Sequence, residues 1–533
     1  MIQDKNNYRN TFSFQEKLFF ALWSLLLGIV IRFPYLVPDD SFPLGDGGLF
    51  VAMINSIKSN YYLLPETVFY NNIQIPFAYP PLGFYLAILT SIITGYSTLW
   101  TMRFLPIIFN LLTIVSVAFL ASEIVKNRSE LFSVVNIFPI IFQSYEWLIK
   151  GGGVTRSPSL FFMTLSLLFT ILYQKQKKSR FILFLICSLS GAIMSHAEWG
   201  LIAVISIPVY LFTHGLKNWR ESIKLFALVG LSSLILTSPW WLTVISRFGV
   251  NPFFTAKQSI TSHDFFSRLF DGSIFAVTVN LSDNYFIPAF AMTGLVISII
   301  KRDFFLPIWL LSIYIVNSRN APKNEVIPIT FLAAIGLQGI AQLISLLISY
   351  LNNKNKFTRI AQWTTKRHFL NYLFILILLV ILMIKWEYKP LIHPISQKDR
   401  VAMNFIKEAT PADAKFIVLT PSDWFAADSA EWFPYLSNRH SLTTPQGLEW
   451  VSSKEFRKIS SITFELSTMI HNELINNNSH QITLCQFIES RFTDFDYVVV
   501  FIKNINSDFG GFLESGRYTV FYKKSGVVIF SAN

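Results

Sequence analysis

The stretch FPLGDGGLFVAMINSI (42–57) carries one carboxylate, Asp46, between glycines, with a helix-period apolar pattern behind it. Two readings of Asp46 stand side by side. As an N-cap it accepts backbone N–H groups of the helix that begins there. As a ligand-facing group it stays uncovered, because glycines on both sides leave the backbone open to a bulky molecule. A second constellation lies in YEWLIKGGGVTRSPSLFF (145–162): Lys150, then Gly151, Gly152 and Gly153, then Arg156. Cations flanking a glycine run that opens a helix suit an anion, since backbone N–H groups point out of a helix N-terminus. A plain turn with two solvated cations is the alternative.

Further ionisable residues fall at or near the ends of apolar runs: Arg32, Glu146, His196, Glu198 and Arg319. Ionisable groups at such depth are functional candidates by default, although a glutamate can reach water there and a lone histidine is commonly structural. His263, beside Asp264, lies in the long connection 244–283 and suits either a lid that meets substrate or an ordinary exposed pair.

The elements that must position these groups are set by composition. Of 533 residues, 52% are hydrophobic and only 14% charged, against about 25% charged in soluble domains. That deficit, with repeated apolar runs, describes a polytopic membrane protein. The net charge of +12 does not indicate nucleic acid, because the basic residues concentrate in short connections between apolar runs. Cys187 and Cys485 lie in different settings and show no disulfide or metal spacing.

Eleven spans are expected, at about 17–37, 103–125, 131–149, 156–173, 181–196, 198–213, 223–243, 284–300, 304–318, 326–350 and 369–386. The first lacks a small-x-small cleavage site and reads as a retained anchor. The run 81–95 opens on a proline pair and is short for a crossing, so an interfacial or re-entrant helix is expected there. Charge supports that choice. With a cytoplasmic N-terminus, the inner loops hold Lys126 and Arg128, the cluster Lys175 to Arg180, Lys217 to Lys224, Lys301 and Arg302, and Lys354 to Arg367. The longer outer loops hold few basic residues, as the positive-inside rule requires. Residues 1–386 then form a transmembrane module whose first extracytoplasmic loop, 38–102, lies along the membrane. Residues 387–533 form an extracytoplasmic α/β domain, with strands at 415–420 and 497–502 and a hairpin over 518–530. Within it, DWFAADSAEWFPYLSNRHS (423–441) suits docking onto the membrane module or carbohydrate recognition.

An acidic residue soon after span one, an interfacial helix and the proline pair of AYPPLGFYL (78–86) resemble the GT-C class of integral-membrane glycosyltransferases. Within it, the chain is similar to bacterial relatives of protein O-mannosyltransferases and of the lipid A aminoarabinose transferase. The stretches 145–162, SHAEWGL (195–201), SPWWLTVISRFG (238–249), SRNAP (318–322) and EWFPYLSNRHSLTTPQGLEW (431–450) look like a bacterial subgroup. Two positions depart from the class pattern: Gly47 stands where an acidic pair is usual, and Tyr79 where a histidine often precedes the prolines.

The resemblance implies transfer of a sugar from a polyprenyl-phosphate donor to a hydroxyl of a glycan, lipid or protein acceptor, on the extracytoplasmic side of the plasma membrane, with inversion. It implies Asp46 as general base. Lys150, Gly151–Gly153, Arg156 and Arg319 become candidates for the donor phosphate, whose developing charge needs cationic donors. Arg32, Tyr79, Glu146, His196, Glu198 and His263 become possible substrate contacts, with Arg32 a possible partner holding Asp46 ionised. No cofactor is expected. A lone carboxylate is a poor divalent-cation site, and any second one would come from Asp39, Asp40 or Glu66. A non-catalytic carrier-binding or assembly subunit and a lipid-linked glycan flippase are the alternatives.

Overall fold

The computed structural model describes residues 12–37, 40–214, 219–260, 286–317, 320–352, 392–423, 426–476, 481–502, 516–524 and 526–532. Helix α1 (Phe14–Leu36) starts at Ser13, whose hydroxyl accepts from the Glu16 N–H while the Glu16 carboxylate accepts from Ser13 N–H. That reciprocal cap fixes the entry of an apolar run. Next come α2 (Gly48–Ser59), the hairpin β1 (Thr67–Tyr70) and β2 (Ile73–Pro76), α3 (Leu82–Thr94), α4 (Thr98–Ile124) and α5 (Arg128–Ile140). They are followed by α6 (Gly153–Gln176), α7 (Arg180–Ser195), α8 (Ala197–His214), α9 (Trp219–Phe248) and α10 (Asn251–Ile260). The helical part closes with α11 (Phe286–Ile300), α12 (Phe305–Asn317), the one-turn α13 (Ala321–Asn324) and α14 (Val326–Asn352).

Among the described residues, six helices are long and apolar enough to cross a membrane: α1, α4, α6, α8, α9 and residues 326–344 of α14. Shorter apolar helices are α3, α7, α12 and residues 287–300 of α11. Bare apolar side chains such as Leu22, Leu26, Leu231 and Ile235 stand on the outside of α1 and α9, an exterior suited to lipid. The expected span 369–386 lies outside the described residues. Basic residues gather at one end of the bundle. There, Lys17 and Lys175 both grip the buried Glu123, Arg128 Nε donates to Glu16 at 2.7 Å, and Lys126 pairs with Asp303 at 3.2 Å.

The expected span 131–149 is corrected. Helix α5 ends at Ile140, after 13 residues, about 20 Å of rise. Pro139 has no N–H to donate to the Val135 carbonyl, which accepts from Ser24 Oγ at 2.7 Å instead. Arg32 then donates to the Pro139 carbonyl at 2.9 Å, so the chain leaves the helix and folds into the turns 141–152. Helix α3 spans 13 residues from its Pro81 N-cap and packs against α2, α4, α6 and α7.

The C-terminal part comprises α15 (Gln397–Ala409), β3 (Lys415–Leu419), α16 (Asp428–Ser437), β4 (His440–Ser441), α17 (Ser453–Asn476), α18 (Gln481–Arg491), β5 (Tyr497–Phe501), β6 (Tyr518–Lys524) and β7 (Val527–Ala532). Its sheet has the order β4-β3-β5-β7-β6, with β3 parallel to β4 and β5, and β7 antiparallel to β5 and β6. Alternate strand residues point to opposite faces. Ile417, Leu419, Val498 and Val500 pack with Leu466, Ile470 and Ile488 of α17 and α18. Phe416, Val418, Val499 and Phe501 join Met53, Ile57, Phe77, Phe84 and Trp432 in one core. The loop after α1 and the C-terminal sheet therefore share a hydrophobic core.

Candidate active site

Asp46 sits on the turn from Leu44 into α2. Gly45 (φ +57°) and Gly47 (φ +149°) hold conformations that side chains rarely adopt, and a Cβ on Gly47 would meet the Trp432 ring at 2.9 Å. The glycines thus let two other chain segments close on the turn. Gly151 N–H donates to the Leu44 carbonyl at 2.8 Å on one side, and Trp432 Nε1 donates to the Gly45 carbonyl at 2.7 Å on the other.

The N-cap reading of Asp46 is corrected. The N-cap of α2 is Gly47, which offers no side chain. The free N–H groups of Gly47, Gly48 and Leu49 donate instead to the Glu431 carboxylate, at 2.8, 2.8 and 3.0 Å. A buried acid from α16 satisfies the helix N-terminus, where negative charge is favoured. Burial, and after it the neighbouring charge of Asp46, push the Glu431 carboxyl up to about 7, against the pull of its three N–H donors. The carboxylate next to Asp46 is therefore Glu431. Asp40 instead meets Arg400, Glu66 is exposed, and Asp39 lies outside the described residues.

Asp46 turns its carboxylate toward the start of α6. Oδ1 accepts from the Gly152 N–H at 3.1 Å, and Oδ2 meets Arg156 Nη2 at 2.5 Å. Burial raises the Asp46 carboxyl, but the charges of Arg156 and Lys150 and the two hydrogen bonds outweigh it and hold it below its usual range.

Arg156 also donates from Nη1 to the Trp147 carbonyl at 2.8 Å. Its guanidinium carbon lies 4.0 Å from the Trp147 ring centroid, Lys323 Nζ lies 3.7 Å away and Lys150 Nζ 5.2 Å away. Three cations around one indole are attracted to its face but repel one another. Burial first, then Arg156 and Lys150, bring the Lys323 amine down to about 8, with Glu146 and Glu198 opposing that fall. An anion placed among them would relieve this repulsion.

Tyr79 forms a second wall. Its ring centroid lies 5.5 Å from Phe50, 5.8 Å from Trp450 and 6.0 Å from His196, and its hydroxyl lies 3.4 Å from Thr155 Oγ1. His196 Nδ1 is buried without a hydrogen-bond partner. Glu449, beside Trp450, is pushed up to about 7 by burial while accepting the Gly447 N–H at 2.6 Å. Glu198 accepts twice from Asn320 Nδ2, at 2.9 and 3.1 Å.

Asp46, Lys150, Gly151, Gly152, Gly153, Arg156 and Tyr79 thus come together, with His196, Glu146 and Glu198 around them. Arg32 does not. It is fully buried, donating to Asn110 Oδ1 at 2.6 Å and Ser144 Oγ at 3.1 Å, with Tyr145 over its guanidinium. It holds the turn that carries Trp147 and makes no pair with Asp46. Arg319 and His263 lie outside the described residues. Trp147, Lys323, Glu431, Trp432, Glu449 and Trp450 join the site without having been singled out for it from sequence. The dipeptide Glu-Trp at both ends of 431–450 is the signal that was there to read. Among the described residues, no cluster of three or more His, Cys, Asp or Glu side chains could hold a metal ion.

A family model described as dolichyl-phosphate-mannose-protein mannosyltransferase matches residues 78–242. No curated protein matches the chain in sequence. Solved structures resemble it throughout. ArnT from Cupriavidus metallidurans, bound to undecaprenyl phosphate, is 13% identical with a TM-score of 0.53, over 96% of this chain and 97% of that one. The oligosaccharyltransferase AglB from Archaeoglobus fulgidus, in complex with an inhibitory peptide and a dolichol-phosphate, is 13% identical with a TM-score of 0.54, over 91% and 69%. The arabinofuranosyltransferase AftD from Mycobacteria is 12% identical with a TM-score of 0.54, over 98% of this chain and 40% of that one. The chain shares its fold with these glycosyltransferases and, among the described residues, has six helices long and apolar enough to cross a membrane.

Proposed function

We propose that this chain is an inverting glycosyltransferase that moves a sugar from a polyprenyl-phosphate donor to an acceptor hydroxyl. The observation that carries the reading is the contact between Asp46 and Arg156 among Lys150, Lys323 and Trp147. One contact joins a carboxylate able to take a proton to a cationic nest able to take a phosphate. The fold relatives solved with undecaprenyl phosphate and with dolichol-phosphate, and the mannosyltransferase match, support the same donor class.

The geometry suggests an order of events. Without donor, Arg156 holds Asp46 ionised and a poor base. A lipid phosphate entering over Trp147 competes for the guanidinium, as bidentate phosphate pairing is strong. Released from Arg156, Asp46 becomes more basic and accepts the proton of the attacking hydroxyl. The oxygen–anomeric carbon bond forms as the bond from that carbon to the phosphate oxygen breaks on the opposite face, hence inversion. The electron pair leaves with the phosphate, where Arg156, Lys150 and Lys323 offset the developing charge.

The reaction as written needs no metal. The Asp46 oxygens are occupied by a guanidinium and an N–H, those of Glu431 by three backbone N–H groups, and the surrounding cations oppose a divalent ion. We place the site on the extracytoplasmic face of the plasma membrane, with a cytoplasmic N-terminus, because the basic helix ends lie at the opposite end of the bundle. The acceptor is a glycan, lipid or protein hydroxyl.

The test uses protein in membranes supplied with radiolabelled polyprenyl-phosphate sugars and a cell-envelope extract. Asp46→Asn should abolish transfer while expression and carrier binding persist. Equal transfer by the variant removes Asp46 as base, and carrier binding without transfer by the wild type favours an assembly subunit.

A further inference from the structure

The Glu431–Trp432 dipeptide of α16 grips the peptide on both sides of Asp46. Trp432 Nε1 bonds the carbonyl of Gly45, and the Glu431 carboxylate takes the N–H groups of Gly47, Gly48 and Leu49. The grip is tight and dry: Trp432 is fully buried and Glu431 nearly so. A Cβ on Gly48 would lie 2.7 Å from the Glu431 carbonyl oxygen. That carbonyl is in turn engaged by the Tyr70 hydroxyl, and Asn71, at the hairpin tip, bonds Ser441 and Thr444 from one amide group. The turn that carries Asp46 is thus held by groups of the C-terminal part.

We propose that Glu431 and Trp432 are positioning residues: they fix the orientation of the Asp46 turn, and through it the C-terminal part makes the membrane module competent for transfer. This rests on the proposed role of Asp46. The groups facing Asp46 are Arg156 and Lys150 from the turn and helix beneath, and Glu431 from above. Glu431 therefore acts on Asp46 through the backbone it holds.

The experiment uses the full chain in nanodiscs, with Glu431→Gln, Glu431→Ala, Glu431→Asp and Trp432→Phe. Amide hydrogen exchange over residues 45–50 reads the grip without reference to catalysis. Glu431→Ala should speed exchange there about tenfold, the scale of a lost cap. Its kcat should fall about 100-fold, the scale of a base displaced by roughly 1 Å. KM for the polyprenyl-phosphate donor should stay within about twofold, because the phosphate groups are untouched. Glu431→Gln, whose single amide oxygen can accept fewer of the three N–H groups, should fall between wild type and Glu431→Ala in both exchange and kcat. Glu431→Asp should recover part of kcat.

Unchanged exchange in Glu431→Ala overturns the inference, and so does faster exchange with unaltered kcat. Should Glu431→Ala fail to fold, Glu431→Gln and Trp432→Phe carry the same readings. A wild type that transfers no sugar, with exchange as expected, sinks the transferase reading and leaves the grip established.

Discussion

Arg156 Nη2 lies 2.5 Å from Asp46 Oδ2 while the same guanidinium rests 4.0 Å from the Trp147 ring centroid. One cation therefore belongs at once to a carboxylate and to a cluster of like charges, and it can serve a phosphate only by loosening its hold on Asp46. Asp46→Asn should accordingly bind undecaprenyl phosphate at least as tightly as wild type, measured by native mass spectrometry in detergent, while transfer falls about 10²–10⁴-fold, the range for a lost general base. Arg156→Ala should weaken the same binding by about 10–100-fold, as expected for a charge-assisted hydrogen bond lost from a partly buried site. Weaker lipid binding by Asp46→Asn would rule out the competition.

Lys323 supplies a pH dependence of known sign. Its amine is brought from 10.5 to about 8 in the folded protein, so between those values the folded state holds fewer protons than the unfolded one. Stability attributable to this group rises with pH across that window. Phosphate binding behaves oppositely, because it needs the cation: affinity for undecaprenyl phosphate should decline as pH passes about 8. Lys323→Arg, whose guanidinium stays charged, should retain affinity to pH 9 and above. Identical pH profiles for the two proteins would remove Lys323 from the phosphate nest.

The Asp46 carboxyl is held below its usual 3.8. A lowered carboxylate contributes stability that is present above the usual value and lost as pH falls through the folded one. Acidification to about pH 4 should therefore leave the Asp46–Arg156 pair closed. In contrast, Asp46→Asn should flatten the acid side of the thermal-stability profile below that point. A variant with an unaltered acid profile would mean that the pair is open in solution.

These relationships divide sharply by how far apart their members lie in the chain. Asp46 with its glycines, and Lys150 to Arg156, occupy single short stretches, so their residue types and spacing were legible. Strands β3 and β5 were legible too, as continuous apolar runs, because the sheet is covered on both faces. The grip of Glu431 on Gly47 spans 384 positions, and no local pattern announces it. The cap reading of Asp46 rests on its being the acid next to the helix start, whereas folding supplies the capping acid from α16. The end of α5 is hidden for a different reason: hydropathy continues past Ile140, but the Pro139 carbonyl, which a longer helix would pair with the N–H of residue 143, is taken by Arg32. Arg32, polar inside an apolar run, resembled a site residue and proves to be the donor that closes that helix end.

Two glycine substitutions should separate function from stability at neighbouring points of the fold. A Cβ on Gly152 would lie 2.1 Å from Arg156 Nη2 and 2.9 Å from Asp46 Oδ2. The first obstacle is the far end of a flexible side chain, which can swing aside with little cost to the fold. The second is the proposed base itself, which the added methyl would crowd out of place. Gly152→Ala should therefore leave the melting temperature within about 3 °C of wild type while transfer drops at least 100-fold. On Gly83 a Cβ would instead meet the Val154 carbonyl oxygen at 2.6 Å and Thr155 Cα at 2.8 Å. Those are backbone atoms of α6, so α3 itself must move, a close-packing strain of about 1–3 kcal/mol. Gly83→Ala should lower the melting temperature of the detergent-solubilised protein, and its activity should fall with the folded fraction. An active Gly152→Ala enzyme would mean that the placement of the Asp46 carboxylate does not matter, and Asp46 would lose its role as base.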